Sequence, residues 1–562
     1  MAAGYLSRAL LGTAPTSETT KKPRRGPVLE VLNELLAEGR TQEVVALVAR
    51  LVSRNSELER LLQDAKTKGK KNEGVSTTQL KLLLDGLPAN SDGDVAEVDA
   101  RLRRSSGIDE EPPQAEPARP KRTRPARRPI PTNLRRVENV IPVPAPQRPC
   151  PRCAEARECV GHEVTEVIDL IPAEVIVRQD KREKLACRLC EAEVVRAPLG
   201  EKVVSGGRMG ARLVAQLLVE KYYDGLPLSR QVERFERLGL EVALSTLADQ
   251  VAWATEALRP VWRAAMSKVL GATVMHLDAT SLPVLDSKNA KGIRLGAIWG
   301  YVGADVRDCG TEHTALCLYN STGKREGQRE GEIGPAQMLA LRVGRTVADA
   351  AGIFDASFKR GDLLECGCNT HARRYFRKAL DGGDKRAALP LAAFKRLFAI
   401  ERRLKACTID ERRRGRQERS KPVYDDLIAW AIAHQPNEPP SSPLGRAIRY
   451  LLNHQQALRR YLEDGAIPID NTVVERLHIR TALTRKNFLF AGSDAGGERA
   501  AIAYTLLGCC KLAEVDPVAY LADVLPRLAT KKLCLRDMPA LLPAEWKRSH
   551  PEAVRGKAAV TR

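Results

Sequence analysis

The chain has 562 residues, too many for one hydrophobic core and, at ~100–200 residues per domain, enough for three to five units. Apolar residues make up 43% of it, so most of it can fold, yet no run of ~18 apolar residues is present to span a membrane. Ninety-one Lys and Arg against 70 Asp and Glu leave a net charge of +21, which favours a polyanionic partner, nucleic acid first.

The predicted elements run as follows. Residues 1–27 read as a disordered basic tail. Residues 28–65 read as a coiled-coil-like helix, because Val44, Val48, Leu51, Asn55, Leu58 and Leu62 recur with a/d spacing. A buried Asn at an a position selects in-register parallel pairing, so a homo-oligomer is expected. Short helices and a linker occupy 66–104, beginning with "TTQLKLLLDGL". Residues 105–148 form a basic, Pro-rich linker; "RPKRTRPARRPIPTNLRR" holds eight basic residues, Arg127 and Arg128 among them, and no acid. Such a segment stays extended and solvated and suits phosphate tracking.

Residues 149–200 carry two cysteine pairs around β-like text. Residues 201–270 are helical, with helix, turn at Gly239 and helix in "PLSRQVERFERLGLEVALSTLADQVAW" and a capping box from Thr246 to Asp249. A helix-turn-helix and a plain αα-hairpin both fit. From 271 to 382 the order β-β-β-α-β-α predicts the first part of a mixed α/β sheet. "ATVMHLDAT" reads as a short strand ending in Asp278, and "RTVADAAGIFD" as a later one ending in an acid. Residues 383–468 read as a helical insertion, 469–495 complete the core, and 496–562 close with helices and a tail. Within 469–495, Glu475 sits on a helix, followed by a basic, aromatic strand with Arg485, Lys486 and Phe488.

Two constellations carry chemistry. Cys150, Cys153, Cys187 and Cys190 give C-x2-C-x33-C-x2-C, two knuckles that complete a tetrahedral structural Zn2+ site. Nothing resembling a βαβ redox motif surrounds either pair, and cysteines used this way place the chain in the cytoplasm. The second constellation is acidic: Asp278, Asp349 and Glu475. Three carboxylates meeting at a sheet would repel one another unless hard cations, Mg2+ or Mn2+, sit between them. Two such ions suit phosphodiester cleavage. Cys368 and His371 share a C-x-x-H spacing, but two further ligands are not found, so His371 reads as a core or near-site group. Arg373 and Arg374 read either as phosphate contacts or as a solvated helix face.

These residues resemble the transposases of the insertion sequence 66 family. "CPRC" and "ACRLC" resemble its zinc-ribbon knuckles, "HLDATSLPVLD" its first acid motif, "VADAAGIFD" its second, and "CGCNTHARRYF" its C-W-A-H-A-R-R-x-F segment. "IDNTVVERLHIRTALTRKNFLFAGSDAGGERAA" resembles its C-terminal D-N-x-x-E-R signature with R-K-N-W-L-F-x-G-S. The resemblance implies an RNase H-like fold with a D-D-E triad at Asp278, Asp349 and Glu475. It implies Mg2+-dependent cleavage at element ends, strand transfer by the freed 3′-OH, and accessory proteins encoded by the same element. Ala279 stands where the family has Glu, Ala350, Ala351 and Ile353 alter the second motif, and Asn369 and Phe488 replace tryptophans. Asp355 is therefore a rival to Asp349. A zinc-containing DNA-binding regulator without chemistry, or a decayed transposase, are the other functions compatible with the sequence.

Overall fold

The computed structural model describes residues 36–42, 75–87, 93–110, 152, 174–181, 183–185, 195–196, 207–322, 331–349, 354–530 and 532–553. The chain divides into two compact units, Met1–Gly74 with Asp381–Asp384, and Val75–Leu380 with Lys385–Arg562. In the first, Gly39 adopts φ +72°, a left-handed turn conformation that glycine enters freely, between helical residues on either side. The uninterrupted helix expected over 28–65 is broken there. The a/d seam from Val44 to Leu62, the linker arginines Arg127 and Arg128, and the four knuckle cysteines lie outside the described residues.

A five-stranded mixed sheet organises the second unit: β1 (Val274–Leu285), β2 (Ile293–Arg307), β3 (Gly310–Asn320), β4 (Gly344–Ala348) and β5 (Leu363–Gly367). Across the sheet the order is β3-β2-β1-β4-β5. The first three strands pair antiparallel, and β4 and β5 add to β1 in parallel. Two expectations change here. "DLLECGC" contributes a fifth strand, and β1 does not end at Asp278 but runs on to Leu285. Beyond the last paired residues, His276 and Val347, the free edge of β1 meets a single parallel bridge, at Val284 and Ala491. There Pro283 accepts from the Ala491 N–H and Leu285 donates to the Ala491 carbonyl, so the bridge asks no backbone donor of the proline.

Helices precede the sheet: α1 (Thr77–Asp85), α2 (Gly93–Ser106), α3 (Ala211–Tyr222), α4 (Leu228–Arg237), α5 (Leu244–Ala257) and α6 (Arg259–Gly271). Gly239 makes the expected turn, at φ +81°. The capping box does not form: α5 starts at Leu244 with Ala243 as its N-cap, which places Thr246 inside the first turn and lets Leu247, Val251 and Ala254 face the core together. After β5 come α7 (Asn369–Asp381), then α8 (Ala388–Arg403), α9 (Lys421–His434) and α10 (Pro443–Asn453) with shorter helices between them, which is the expected helical insertion. The chain closes with α11 (Thr472–Phe488), α12 (Asp494–Leu512), α13 (Pro517–Ala529) and short turns.

Alternation along the strands sorts the core. Met275 and Leu277 of β1, Trp299 and Tyr301 of β2, and Leu316 and Leu318 of β3 bury on one face with Val269 of α6 and Met338. On the other face α11 lies over β1 and β2, and α12 over β3. The insertion packs its own core, with Phe376, Phe394, Trp430 and Leu444, against Leu80 and Leu84 of α1 and Leu102 of α2. Asp99 of α2 accepts from Trp430 Nε1 and meets His434 Nε2, both at 2.8 Å. The short helices expected within 66–104 thus pack as α1 and α2 against the insertion.

Candidate active site

Asp278 lies on β1 on the same face as Val274 and His276, because side chains alternate along a strand. In the parallel ladder His276 pairs with Val347. Two residues further along each chain stand Asp278 and Asp349. Continuing the register puts them side by side where β4 has just ended, on strands ~4.8 Å apart. The geometry follows from strand pairing alone, although 71 positions separate them in sequence.

Glu475 arrives from α11. The start of that helix is fastened by Asn471, which is fully buried. Its Nδ2 donates to the Leu277 carbonyl at 2.8 Å, and its backbone N–H donates to Cys368 Sγ at 3.2 Å. Its Oδ1 lies 2.9 Å from His276 Nδ1. Since that oxygen is an acceptor only, His276 carries its proton on Nδ1. Burial lowers the His276 pKa to about 4, so the ring is neutral. Asn369, at the start of α7, donates to the carbonyls of Leu458 and Ile469 and accepts from the Tyr424 hydroxyl. The insertion therefore grips the chain immediately before Asp470, and Asp470 Oδ1 accepts the Thr472 N–H at 3.1 Å.

One turn beyond Glu475, His478 closes the site from above. Position 300, paired with Asp278 across β1 and β2, is glycine; a Cβ there would lie 2.6 Å from His478 Nε2. The ring fills that space, and its Nε2 donates to the Asp278 carbonyl at 3.1 Å. Burial holds this histidine neutral as well, at about 4.

The Asp278 carboxyl senses the other two acids. The Asp278 carboxyl is pushed up to about 6, first by burial and then by the charges of Asp349 and Glu475; the Ala279 N–H and Arg374 oppose the rise. The Ala279 N–H donates to Asp278 Oδ1 at 2.8 Å. Arg374 Nη2 stands 3.7 Å from Glu475 Oε2, and His371 Nδ1 stands 3.7 Å from Glu475 Oε1. Neither that Nδ1 nor Glu475 Oε1 has a hydrogen-bond partner. Cys368, His371 and Glu475 each offer a ligand atom within 4.8 Å of the others. Glu475 thus supplies a third ligand beside the C-x-x-H pair, one that lies about a hundred residues away in sequence and is invisible to local spacing.

The rival acid is elsewhere. Asp355 opens an exposed helical turn, Asp355–Phe358, and its charge acts on Glu365 and His454. Its charge is not among those acting on Asp278.

The basic residues are differently placed from expectation. No strand follows Glu475: a single helix runs through Phe488, because Val474, His478, Thr481 and Thr484 form one buried face at helical spacing. Arg485 reaches back from it to β1, with Nη1 donating to Ser281 Oγ at 2.9 Å and to Thr280 Oγ1 at 3.3 Å. Lys486 is exposed and Arg373 is half-buried. Arg374 faces Glu475 rather than open solvent. The residues that sequence reading missed are Asn471, His478 and Gly300. Asn471 and His478 lie in the quoted C-terminal stretch, but a polar residue there gives no local sign of being buried.

A mixed sheet that gathers acidic side chains where a strand ends, with cations around them, is an arrangement suited to a polyanionic substrate. Residues 206–499 match the model of the "Transposase IS66 family", and residues 147–191 match the "zinc-finger binding domain of transposase IS66". The chain is a member of this transposase family, with that zinc-finger domain ahead of its catalytic-type domain. It is similar to the uncharacterised protein y4hP of Sinorhizobium fredii, 32% identical over 522 residues and 90% of both chains. It is also similar to y4qI of that organism, 29% identical over 535 residues, covering 93% of this chain and 95% of the other. No helix among the described residues is long and apolar enough to cross a membrane.

Proposed function

We propose that the protein cuts DNA at the ends of its own mobile element and joins the freed 3′-OH to target DNA, with Asp278, Asp349 and Glu475 as the catalytic triad of an RNase H-like core. The observation that carries this is the meeting of acids at Asp278, whose carboxyl is raised by burial and then by the charges of Asp349 and Glu475. The strand order β3-β2-β1-β4-β5 and the parallel register that brings the two aspartates together support it.

The chemistry of the donors suits a divalent cation, although among the described residues the ligand atoms gathered within 4.8 Å of one another are those of Cys368, His371 and Glu475, so the three carboxylates would have to close on the ion. The ligands are hard oxygens, like charges raise the Asp278 carboxyl, and Glu475 Oε1 has no hydrogen-bond partner. Mg2+ or Mn2+ held by these three would supply Lewis-acid activation of the attacking oxygen and stabilisation of the leaving one. The rest is the work of the chain. Asn471 fixes the start of α11 against β1 and so sets the height of Glu475 over Asp278. His478 holds the Asp278 main chain without adding charge, and Arg374 faces Glu475 at 3.7 Å, its charge opposing the rise at Asp278. Lys486, Arg485 and Arg373 supply phosphate contacts near the site, and Arg127 and Arg128 supply sequence-independent backbone affinity. Cys150, Cys153, Cys187 and Cys190 hold the structural Zn2+ of the zinc-finger domain, a set that matches a closed four-thiolate site. The active form is a homo-oligomer in the cytoplasm, assisted by accessory proteins of the same element.

The test is incubation of the full chain with labelled duplexes carrying the element's ends, with and without Mg2+. Metal-dependent nicks leaving 3′-OH termini, absent for Asp278→Asn, are expected. Tight, sequence-specific binding with no nicking in any divalent metal would instead make the protein a DNA-binding regulator or a decayed transposase.

A further inference from the structure

Beside the acidic cluster is a cavity of about 280 Å3 between α3, α5, α11 and the start of α12. That is close to the lower end of the ~300–1,000 Å3 range of small-ligand sites. Its lining is unusual in charge. Lys221, Arg485 and Arg499 all border it, and no Asp or Glu does. Aromatic surface completes it, from Phe488, Phe490 and Tyr504.

Lys221 is the informative residue. It is half-buried, and among the described residues no carboxylate's charge acts on it. Its Nζ stands 4.5 Å from the centre of the Phe488 ring and 5.4 Å from that of Tyr222. A cation placed in a low-dielectric wall without a counter-charge is costly, and burial lowers its pKa to about 8. An anionic ligand would remove that cost. The positive end of the 19-residue helix α12 meets the same space through Gly492, Ser493 and Gly496.

The cavity is tied to the acidic site by one strand. Leu282 lines it, and Arg485 reaches Thr280 and Ser281. Asp278 and Leu282 are four residues apart on one face of β1, so they are ~13 Å apart along it. About four stacked nucleotides cover that distance at ~3.4 Å each, and fewer when unstacked.

We propose that this cavity takes one unstacked nucleotide of the DNA strand that is being processed, its phosphate against Lys221, Arg485 and Arg499 and its base against the aromatic wall. An anion joined to a flat aromatic ring satisfies both halves of the lining, and the cavity is too small for more than one such unit. The inference rests on the DNA-processing function proposed above and adds a second, non-catalytic contact to it.

The test uses the full chain and 12-nucleotide single strands with one 2-aminopurine moved through successive positions. Strand binding is followed by anisotropy and stacking by 2-aminopurine emission. Wild type should quench emission about twofold or more at one or two positions, as base–aromatic stacking does. Lys221→Met and Arg499→Gln should each abolish that quench while anisotropy still reports a bound strand, since the basic linker is untouched. Free dAMP should reverse the quench without releasing the strand. Two variants on different helices guard against a local folding defect, and each is checked for a wild-type melting curve. A bound strand with flat emission at every position, or a quench unchanged in both variants, overturns the cavity assignment. Parallel nicking assays with Mg2+ separate the two claims: nicking without quench removes the cavity alone, and quench without nicking removes the catalytic function alone. A strand that does not bind at all removes both.

Discussion

His478 Nε2 donates to the main-chain carbonyl of Asp278 at 3.1 Å across the Cα of Gly300. The contact exists because position 300 has no side chain. It ties α11, the helix of Glu475, to the strand of Asp278 without placing a charge between them. The Gly300→Ala variant should push the ring out, costing ~1–3 kcal/mol as overpacking does. Cleavage should fall by more than the loss of folded protein explains. Denaturant unfolding combined with end-nicking measures both, and a variant equal to the parent in each would show that the bond positions nothing.

Asp278→Asn should change the pH dependence of stability. The carboxyl is raised from 3.8 to about 6 in the fold. Its stabilising contribution is therefore present below 3.8 and lost as pH rises through 6, where the buried charge forms beside Asp349 and Glu475. The amide never pays this cost. Above pH 6 the variant core should melt higher than wild type, by a gap worth at most ~3 kcal/mol, and the gap should close below pH 4. Added Mg2+ should narrow it by stabilising wild type alone. A gap constant from pH 4 to pH 8 contradicts the coupling.

The two candidate second acids give opposite expectations. Asp349→Asn should remove cleavage by several orders of magnitude while leaving DNA binding intact, because the carboxylates act as a unit. Asp355→Asn should cleave as wild type does, since its side chain is exposed on a turn near Glu365 and His454. Reversed outcomes would transfer the assignment to Asp355.

Zinc should be separable from catalysis. The purified protein is expected to carry one Zn2+ per chain at the knuckles, and Cys187→Ser to release it. The sheet and insertion should keep their melting transition, because among the described residues of 147–191 only the half-buried Val175 packs against their cores. Metal analysis with calorimetry decides this; zinc-free native protein with reactive knuckle thiols would remove the site.

Local chemistry alone determined a good deal. The apolar, β-branched text of 274–277 and 295–302 is strand-forming wherever it occurs, the C-x-x-C pairs are complete within a few residues, and a helical insertion is legible from its charged periodicity. The acids stood out because each falls in a short motif. Tertiary structure decided what those pieces do. Nothing near Asp349 in sequence announces that Val347 pairs with His276, and only that register sets it beside Asp278 rather than leaving the place to Asp355. The stretch 480–488 misled as a strand because the face it buries is polar. His478, Thr481 and Thr484 are inside, so hydropathy shows no helical stripe even though their spacing has one. Asn471 and Gly300 have no local signal at all. Their roles exist only where a helix and two strands, 194 residues apart at one contact and 178 at the other, approach closely enough for one amide to hydrogen-bond and one missing side chain to make room.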